Sequence, residues 1–408
     1  MNAPRNVVVG VAGGIAAYKA CHVVRDFTER GDSVRVVPTD NALRFVGAAT
    51  FEALSGNPVD TGVFSRVDEV QHVRIGQEAD LLVIAPATAD LIARIAAGRA
   101  DDLLTSTILV ATCPVVLAPA MHTEMWRNPA TQANVRTLRE RGVTVLEPAH
   151  GRLTGTDTGP GRLMEPGAIA EMARTVADHG PLGRSLEGRR VLISAGGTQE
   201  NIDPVRYIGN RSSGRQGFAL ADIAAHKGAD VTVVAGATDD LPTPAGAEIV
   251  RVRSTRDMQR EMNARAADAD VIIMAAAVAD FRPETEASSK LKKGQADDAL
   301  STIRLAENPD VLRGLVEKRD AGETGAVIVG FAAETDNSLE YGKAKIRRKG
   351  ADLLMVNSVT SGKVFGEARN SGWLVARDGS VREIADGSKH VVAAQIWETI
   401  EDIVRLDN

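Results

Sequence analysis

Only two cysteines, Cys21 and Cys113, occur in 408 residues. That excludes a disulfide framework and any four-cysteine metal site, and it fits a reducing compartment. Positive charge is not in excess either: 48 Lys and Arg stand against 54 Asp and Glu, a formal charge of -6. No global field therefore draws nucleic acid or an anionic membrane, and small molecules are the expected partners. No apolar run reaches the roughly 18 residues that a membrane-spanning helix needs, and the short polar stretch before Val7 does not read as a signal peptide. A cytoplasmic location is expected. Short-period repeats, heptads and low-complexity tracts are missing, which sets aside solenoids and coiled coils. The pattern G-x-x-x-x-G-K-[ST] is missing too, which argues against a P-loop kinase.

A chain of this length exceeds one compact core and implies two or three domains. Short apolar runs at 7–10, 34–37, 81–85, 115–118 and 143–146 alternate with amphipathic helical stretches such as 16–30 and 131–141. Gly31 and Gly142 follow those two helices, where a left-handed C-terminal residue is expected. Strands alternating with helices imply a parallel, doubly wound sheet covered on both faces. Residues 179–190, rich in Gly, Pro and charge, read as a linker, and then the pattern restarts. Runs at 191–194, 231–235, 271–275, 327–331 and 353–356 are the strand candidates there, with helices over 214–227 and 338–349. Residues 242–244 and 283–298 read as surface loops, the second long enough to suggest function. The expected fold class is α/β, with two doubly wound, mainly parallel-sheet domains over 1–178 and 191–408.

In an open parallel sheet, ligands bind beyond the carboxyl ends of the strands. The unusual residues of the first half collect there: Gly10 to Ile15, Thr39, Pro86 to Asp90, Pro119 to Trp126 and Gly151 to Arg162. A glycine turn between strand and helix leaves N–H groups facing outward, which suits a phosphate. Tight packing explains one such turn equally well, but five turns converge. An NAD site would place an acidic residue at the end of the second strand, where this chain has Thr39, with Asp40 one residue beyond. The Gly10 to Gly14 spacing also departs from G-x-G-x-x-G, so a mononucleotide such as FMN fits better.

The segments Gly13-Gly14-Ile-Ala-Ala-Tyr-Lys19, Ala85-Pro86-Ala-Thr88-Ala-Asp90, Pro119-Ala-Met-His-Thr-Glu-Met125-Trp126 and Gly159-Pro160-Gly161-Arg162 resemble the flavin-dependent cysteine decarboxylases, phosphopantothenoylcysteine decarboxylase among them. The resemblance implies a flavodoxin-like domain with FMN held by Gly13, Gly14, Ile15, Thr39, Pro86, Thr88, Asp90 and Ser106. It further implies a catalytic His72, in Gln71-His72-Val-Arg-Ile-Gly76, with His122 and Met125 on the substrate. Flavin in that family serves as a temporary electron sink, so no nicotinamide is consumed. Two positions depart from the family pattern. His122 replaces a clamp asparagine and brings a titratable ring. Gly155 stands where a flap cysteine usually supplies a proton, and Asp157, Thr154 and water all remain open for that role.

In the second half, the stretch from Ala195 to Gly214 is polar, punctuated by glycine and too elaborate for a simple connection. Ser212 or Ser213 would cap the helix that follows and present N–H groups to a phosphate. Asp280 follows an apolar strand, a place from which a carboxylate can hold Mg²⁺ beside phosphates. Lys290, Lys292 and Lys293 cluster in a polar loop, which alone reads as a solvated face. Together with Asn308-Pro309-Asp310-Val311, Gly330-Phe331-Ala-Ala-Glu334-Thr335, Lys345, Lys349 and Asn357, these segments resemble phosphopantothenate-cysteine ligase.

That resemblance implies a Rossmann-like domain binding CTP through Ser212, Met274, Ala275, Ala276, Asp280, Lys290, Asn308, Pro309, Asp310, Val311, Phe331, Lys345 and Lys349. Asp280 would carry Mg²⁺, and Arg206, Asn210 and Lys290 would be catalytic. The carboxylate of 4'-phosphopantothenate attacks the α-phosphorus of CTP, pyrophosphate leaves, and the cysteine amine takes the acyl group from the acyl-cytidylate. The product, 4'-phosphopantothenoylcysteine, is the substrate of the first half, so a bifunctional enzyme of coenzyme A biosynthesis is expected. Its expected assembly is a homo-oligomer combining decarboxylase trimers with ligase dimers. Two other readings stay open: a nicotinamide or flavin oxidoreductase with a nucleotide-binding second domain, and a regulatory flavoprotein whose decarboxylase site has decayed.

Overall fold

The computed structural model describes residues 3–60, 62, 70–153, 158–292, 302–334, 338–358 and 369–406. Two compact units divide the chain, Met1–Arg184 and Ser185–Asn408. Each is built on a mainly parallel sheet, as the alternation of strands and helices implies.

In the first unit, β1 (Asn6–Val11) leads through a 3₁₀ turn, Ile15–Lys19, into α1 (Ala20–Glu29). One helix over 16–30 was expected. The tighter winding at its start leaves Ile15 and Tyr18 exposed while Ala17 and Ala20 are buried. There follow β2 (Ser33–Pro38), α2 (Ala48–Ser55), α3 (Gln71–Glu78), β3 (Leu81–Ala87), α4 (Ala89–Ala96), α5 (Leu103–Val110), β4 (Val115–Pro119) and α6 (Thr123–Arg127). Then α7 (Pro129–Glu140), β5 (Thr144–Val145), the hairpin β6 (Ala149–Arg152) and β7 (Thr158–Arg162), and α8 (Pro166–His179) complete the unit. Helix α7 starts two residues before its apolar pattern, because the Asn128 side chain accepts from the Ala130 N–H and Pro129 fills the first helical position. The sheet runs β2-β1-β3-β4-β5 with every pair parallel. Residues of β3 are buried without exception, so the strand shows no alternation and reads as one apolar run.

The second unit contains β8 (Arg190–Ala195), the ribbon β9 (Gln199–Asn201) and β10 (Tyr207–Gly209), α9 (Arg215–His226), β11 (Asp230–Ala235), β12 (Ala247–Arg251), α10 (Thr255–Ala266) and β13 (Val271–Met274). It continues with the ribbon β14 (Phe281–Pro283) and β15 (Leu305–Glu307), α11 (Val311–Asp320), β16 (Val327–Glu334), α12 (Ser338–Lys349) and β17 (Leu353–Ser358), and ends with β18 (Arg369–Ala376), β19 (Val381–Ser388) and α13 (Lys389–Leu406). The main sheet is β12-β11-β8-β13-β16-β17-β18-β19. Its first six strands are parallel, in the order third, second, first, fourth, fifth, sixth along the chain, the doubly wound dinucleotide-fold order. The last two strands extend the sheet antiparallel. Gly214, at φ +76, is the N-cap residue of α9, and the Ser213 hydroxyl accepts from the Arg215 N–H at 3.5 Å. Ser212 acts one residue earlier, its hydroxyl accepting from the Gly214 N–H at 3.3 Å. Trp397 of α13 is fully buried and donates to the Leu220 carbonyl of α9 at 2.9 Å, fastening the two helices. Among the described residues, no helix is long and apolar enough to cross a membrane.

Candidate functional site

In the first unit, a cavity of about 620 Å³ opens at the carboxyl ends of β1, β3 and β4. The order in which strands are added to the sheet reverses between β1 and β3, the switch point at which open α/β sheets take ligands. Gly14 and Ile15 line it from the first turn, Pro86 and Thr88 from the second, and His122 and Met125 from the third. The Thr88 hydroxyl accepts from the Leu91 N–H at 3.3 Å and so caps α4 at the cavity wall. On the other side lie Arg152, Gly161 and Arg162 of the β6–β7 hairpin. Gly161 holds φ +136 with its carbonyl accepting from the Met121 N–H at 3.0 Å, and a Cβ there would run into the Met121 carbonyl oxygen. Lys19, also on the wall, donates to Glu165 at 3.1 Å, and Arg162 reaches the same oxygen at 2.8 Å.

Four expected flavin residues and the expected catalyst lie off this lining. Gly13 packs against Asn41, and Thr39 is buried with its hydroxyl accepting from the Ala42 N–H at 3.3 Å. Asp90 is exposed in the first turn of α4, while Ser106 is buried on α5. His72 sits on α3, and its Nδ1 is buried with no hydrogen-bond partner among the described residues. Thr154, Gly155 and Asp157, the flap positions, lie outside the described residues, as do Lys293 and Thr335. Burial pushes the thiols of Cys21 and Cys113 up, which leaves little thiolate at neutral pH.

In the second unit, a cavity of about 170 Å³ lies between the start of α9 and the carboxyl ends of β13 and β16. Ser212 and Gly214 approach it from the start of α9, Ala275 and Ala276 from the end of β13, and Phe331 from β16. A second cavity, about 460 Å³, shares Ser212 and Ser213 and adds Gly197, Tyr207 and Asn210. The Asn210 amide donates to the Val278 carbonyl at 3.0 Å, tying the long turn to the loop after β13. Arg206 reaches Asp203 at 3.1 Å and the Leu291 carbonyl at 3.2 Å.

The remaining expected nucleotide residues do not line either cavity. The Asn308 N–H donates to the Asp280 carbonyl at 2.8 Å, and its amide donates to the Ala279 carbonyl at 2.9 Å. Asp310 caps α11 and pairs with Lys349. Burial alone would raise the Asp310 carboxyl; Lys349 and the Arg313 N–H outweigh it and hold it below the usual aspartate range. Val311 and Met274 are core residues, Pro309 lies between Asn308 and Asp310, and Lys345 stands one helical turn before Lys349 on α12. Asp280 and Lys290 are exposed.

Residues 186–404 match the family described as the DNA/pantothenate metabolism flavoprotein C-terminal domain, and residues 1–177 match the Flavoprotein family. The chain is 56% identical over 407 residues to the coenzyme A biosynthesis bifunctional protein CoaBC of Mycolicibacterium smegmatis, covering 98% of each. The chain belongs to the CoaBC family of bifunctional coenzyme A biosynthesis proteins. Its likeness to the CoaBC protein of Vibrio parahaemolyticus is 40% over 405 residues, 98% of this chain and 99% of that one. A solved C-terminal domain of a coenzyme A biosynthesis bifunctional protein CoaBC is 34% identical, with a TM-score of 0.47, covering 55% of this chain and 100% of that one.

As a CoaBC family member the protein is a biosynthetic enzyme, and the oxidoreductase and regulatory readings are set aside. Several residues at the sites carried no separate signal in the sequence. Asn370 is buried and its amide donates to Asn357 at 3.0 Å and to Gln216 at 3.3 Å, while Gln216 donates to the Lys389 carbonyl. All four line the smaller cavity. Gln216 lay inside a recognised helix, but nothing in spacing marks a residue brought in by a later hairpin. Lys19 and Arg162 lay inside the quoted motifs, where their basic character next to a glycine turn was the available signal.

Proposed function

We propose that the protein makes 4'-phosphopantothenoylcysteine from 4'-phosphopantothenate, cysteine and CTP in residues 191–408, and decarboxylates it to 4'-phosphopantetheine in residues 1–178, with 179–190 as the connection. The observation that carries this reading is the presence, in one chain, of two cavities at the carboxyl ends of parallel strands in two sheets, each walled by its own motif set.

The first cavity fits FMN: its 620 Å³ lies within the ~300–1,000 Å³ of small-molecule sites, and the Gly13–Gly14 turn sits at the end of β1. Gly13, Gly14, Ile15, Thr39, Pro86, Thr88, Asp90 and Ser106 would hold the cofactor or shape its cradle. Bound flavin supplies a reversible electron acceptor beside the cysteinyl carbon. His122 and Met125 would orient the substrate carboxylate. His72 lies outside the lining of a single chain's cavity, and a catalytic group must reach its substrate. Its role as base fits a site completed by a second copy of the chain, in keeping with an assembly of decarboxylase trimers and ligase dimers.

For the ligase, Ser212, Ala275, Ala276 and Phe331 would line the CTP pocket, and Met274, Asn308, Pro309, Asp310 and Val311 would bind or support the nucleotide from beyond that lining. Lys290, Lys345 and Lys349 would neutralise the triphosphate, and Arg206 and Asn210 would hold the acyl-cytidylate. Among the described residues, no group of three or more His, Cys, Asp or Glu is placed to hold a metal. A single carboxylate at Asp280 fits Mg²⁺ that arrives on the phosphates and keeps several waters. The chemistry and the two reduced thiols fit a cytoplasmic enzyme. Purified protein supplied with 4'-phosphopantothenate, cysteine, CTP and Mg²⁺ should release pyrophosphate and then CO₂, measured separately. Pyrophosphate without CO₂ would remove the decarboxylase half of the proposal, no pyrophosphate would remove the ligase half, and no CO₂ from supplied 4'-phosphopantothenoylcysteine would remove the decarboxylase half independently.

A further inference from the structure

We infer that Asp203 is a positioning residue of the ligase site, one that locks the Arg206 turn onto the Lys290 loop so that two cations far apart in sequence act on one substrate. The inference rests on the ligase reading above.

Asp203 is fully buried. Its Oδ1 accepts from the N–H groups of Val205 at 2.8 Å and Arg206 at 2.7 Å, which shapes the turn locally, and the turn is closed by the Ile202 N–H donating to the Arg206 carbonyl at 2.9 Å. The other oxygen serves a different purpose. Oδ2 accepts from the Arg206 guanidinium at 3.1 Å and from the Leu291 N–H at 3.2 Å, 88 residues along the chain. Arg206 returns a bond to the Leu291 carbonyl at 3.2 Å, and the Ala287 N–H donates to the Ile202 carbonyl at 3.0 Å. Leu291 is thus held at both ends of its backbone by the turn, and the residue before it is Lys290. The Lys290 side chain is exposed and makes no bond to the described residues, so its position depends on its backbone. Arg206 remains 38% exposed with most of its donors uncommitted.

Burial alone would raise this carboxyl, but the Val205, Arg206 and Leu291 N–H groups and the Arg206 charge outweigh it and hold it below the usual aspartate range. It is therefore anionic wherever the enzyme works. A turn of this kind needs only one acceptor oxygen, which asparagine also provides. The bridge needs the second. In Asp203→Asn the amide NH₂ would face the Leu291 N–H and the guanidinium, donor against donor, so the variant keeps the turn and breaks the bridge.

The test measures CTP-dependent pyrophosphate release by the full-length FMN-loaded protein, its D203N and K290Q variants, and the double variant. Displacement of a catalytic group by an ångström costs roughly 100-fold. D203N should lower kcat for pyrophosphate release by about 10- to 100-fold while CO₂ release from supplied 4'-phosphopantothenoylcysteine holds. Adding K290Q to D203N should cost far less than K290Q costs the parent, because Lys290 has already lost its place. If the two losses multiply in full, Asp203 only sets the fraction of folded protein and the inference is overturned, as it is if D203N runs at the parental rate. A parent that releases no pyrophosphate would instead overturn the ligase reading itself.

Discussion

A methyl group at Gly161 shows how much one position carries in the first unit. The residue adopts φ +136, and its Cβ would meet the Met121 carbonyl oxygen, so Gly161→Ala should cost about 1–3 kcal/mol of local strain. Because β7 and the 119–126 segment are both cavity walls, the expected result is a loss of CO₂ release with pyrophosphate release unchanged. His72→Asn should lower CO₂ release by roughly 10²–10⁴-fold, the usual worth of a general base, again without touching the ligase; an unchanged rate would make His72 structural. The Gly-Pro-Gly-Arg run was legible in the sequence because glycines flanking a proline have few uses. The role of Asp203 was not legible. Its partners at Leu291 lie in a loop that reads as solvated, and a carboxylate followed by proline looks like an ordinary turn.

At the scale of elements, strands buried on both faces were the legible part. β1, β3, β8 and β13 are rich in Val, Ile and Leu, broken inside only by Gly10 in β1, Ala85 and Pro86 in β3 and Ser194 in β8, and parallel order follows from the helices between them. The β18–β19 hairpin escaped because Arg369–Ala376 opens with Arg, Asn, Ser and Gly, and β19 is buried only at Ile384 and Gly387, without the alternation of a half-buried strand. Asp378-Gly379 at its tip, with Gly379 at φ +92, was the available turn signal. Helix α5 is apolar on most of its surface and so shows no helical period. By contrast α10 is specified at its first turn, where Ser254 and Asp257 bond each other's N–H in a capping box. Ser254→Ala should therefore destabilise the second unit by about 1 kcal/mol, read as a lower urea midpoint. The same unit carries a pH dependence. Asp203 is buried, Asp257 half-buried and Asp310 exposed, and in each the hydrogen bonds and neighbouring cations win over desolvation and hold the carboxyl below its ordinary value. A carboxyl depressed in the folded state contributes its full stability above the unfolded aspartate value of about 3.9 and loses it as pH falls further. Urea midpoints of the second unit should hold from pH 7 to about 5 and drop below 4; midpoints flat to pH 3 would refute the sign.

For the whole molecule, the division at Arg184 and Ser185 gives each unit its own sheet and its own buried core. Two cores predict two ligand-specific stabilities. A ligand that binds only the folded form stabilises its host by RT ln(1 + [L]/Kd), about 2.7 kcal/mol at a hundredfold excess over Kd. FMN should raise the unfolding transition that exposes Trp126, in the first unit, and CTP with Mg²⁺ should raise the one that exposes Trp397, in the second. Trp126 and Trp397 are both buried, so single-tryptophan variants report each transition by fluorescence. Lys290→Gln sharpens the test, because removing one cation from the triphosphate should shrink the CTP shift and leave the FMN shift intact. If CTP instead moved the Trp126 transition and FMN the Trp397 transition, the assignment of one nucleotide to each unit would be reversed. A single transition raised equally by both would mean that the cores melt together, and the two sites would then have to be separated by activity alone.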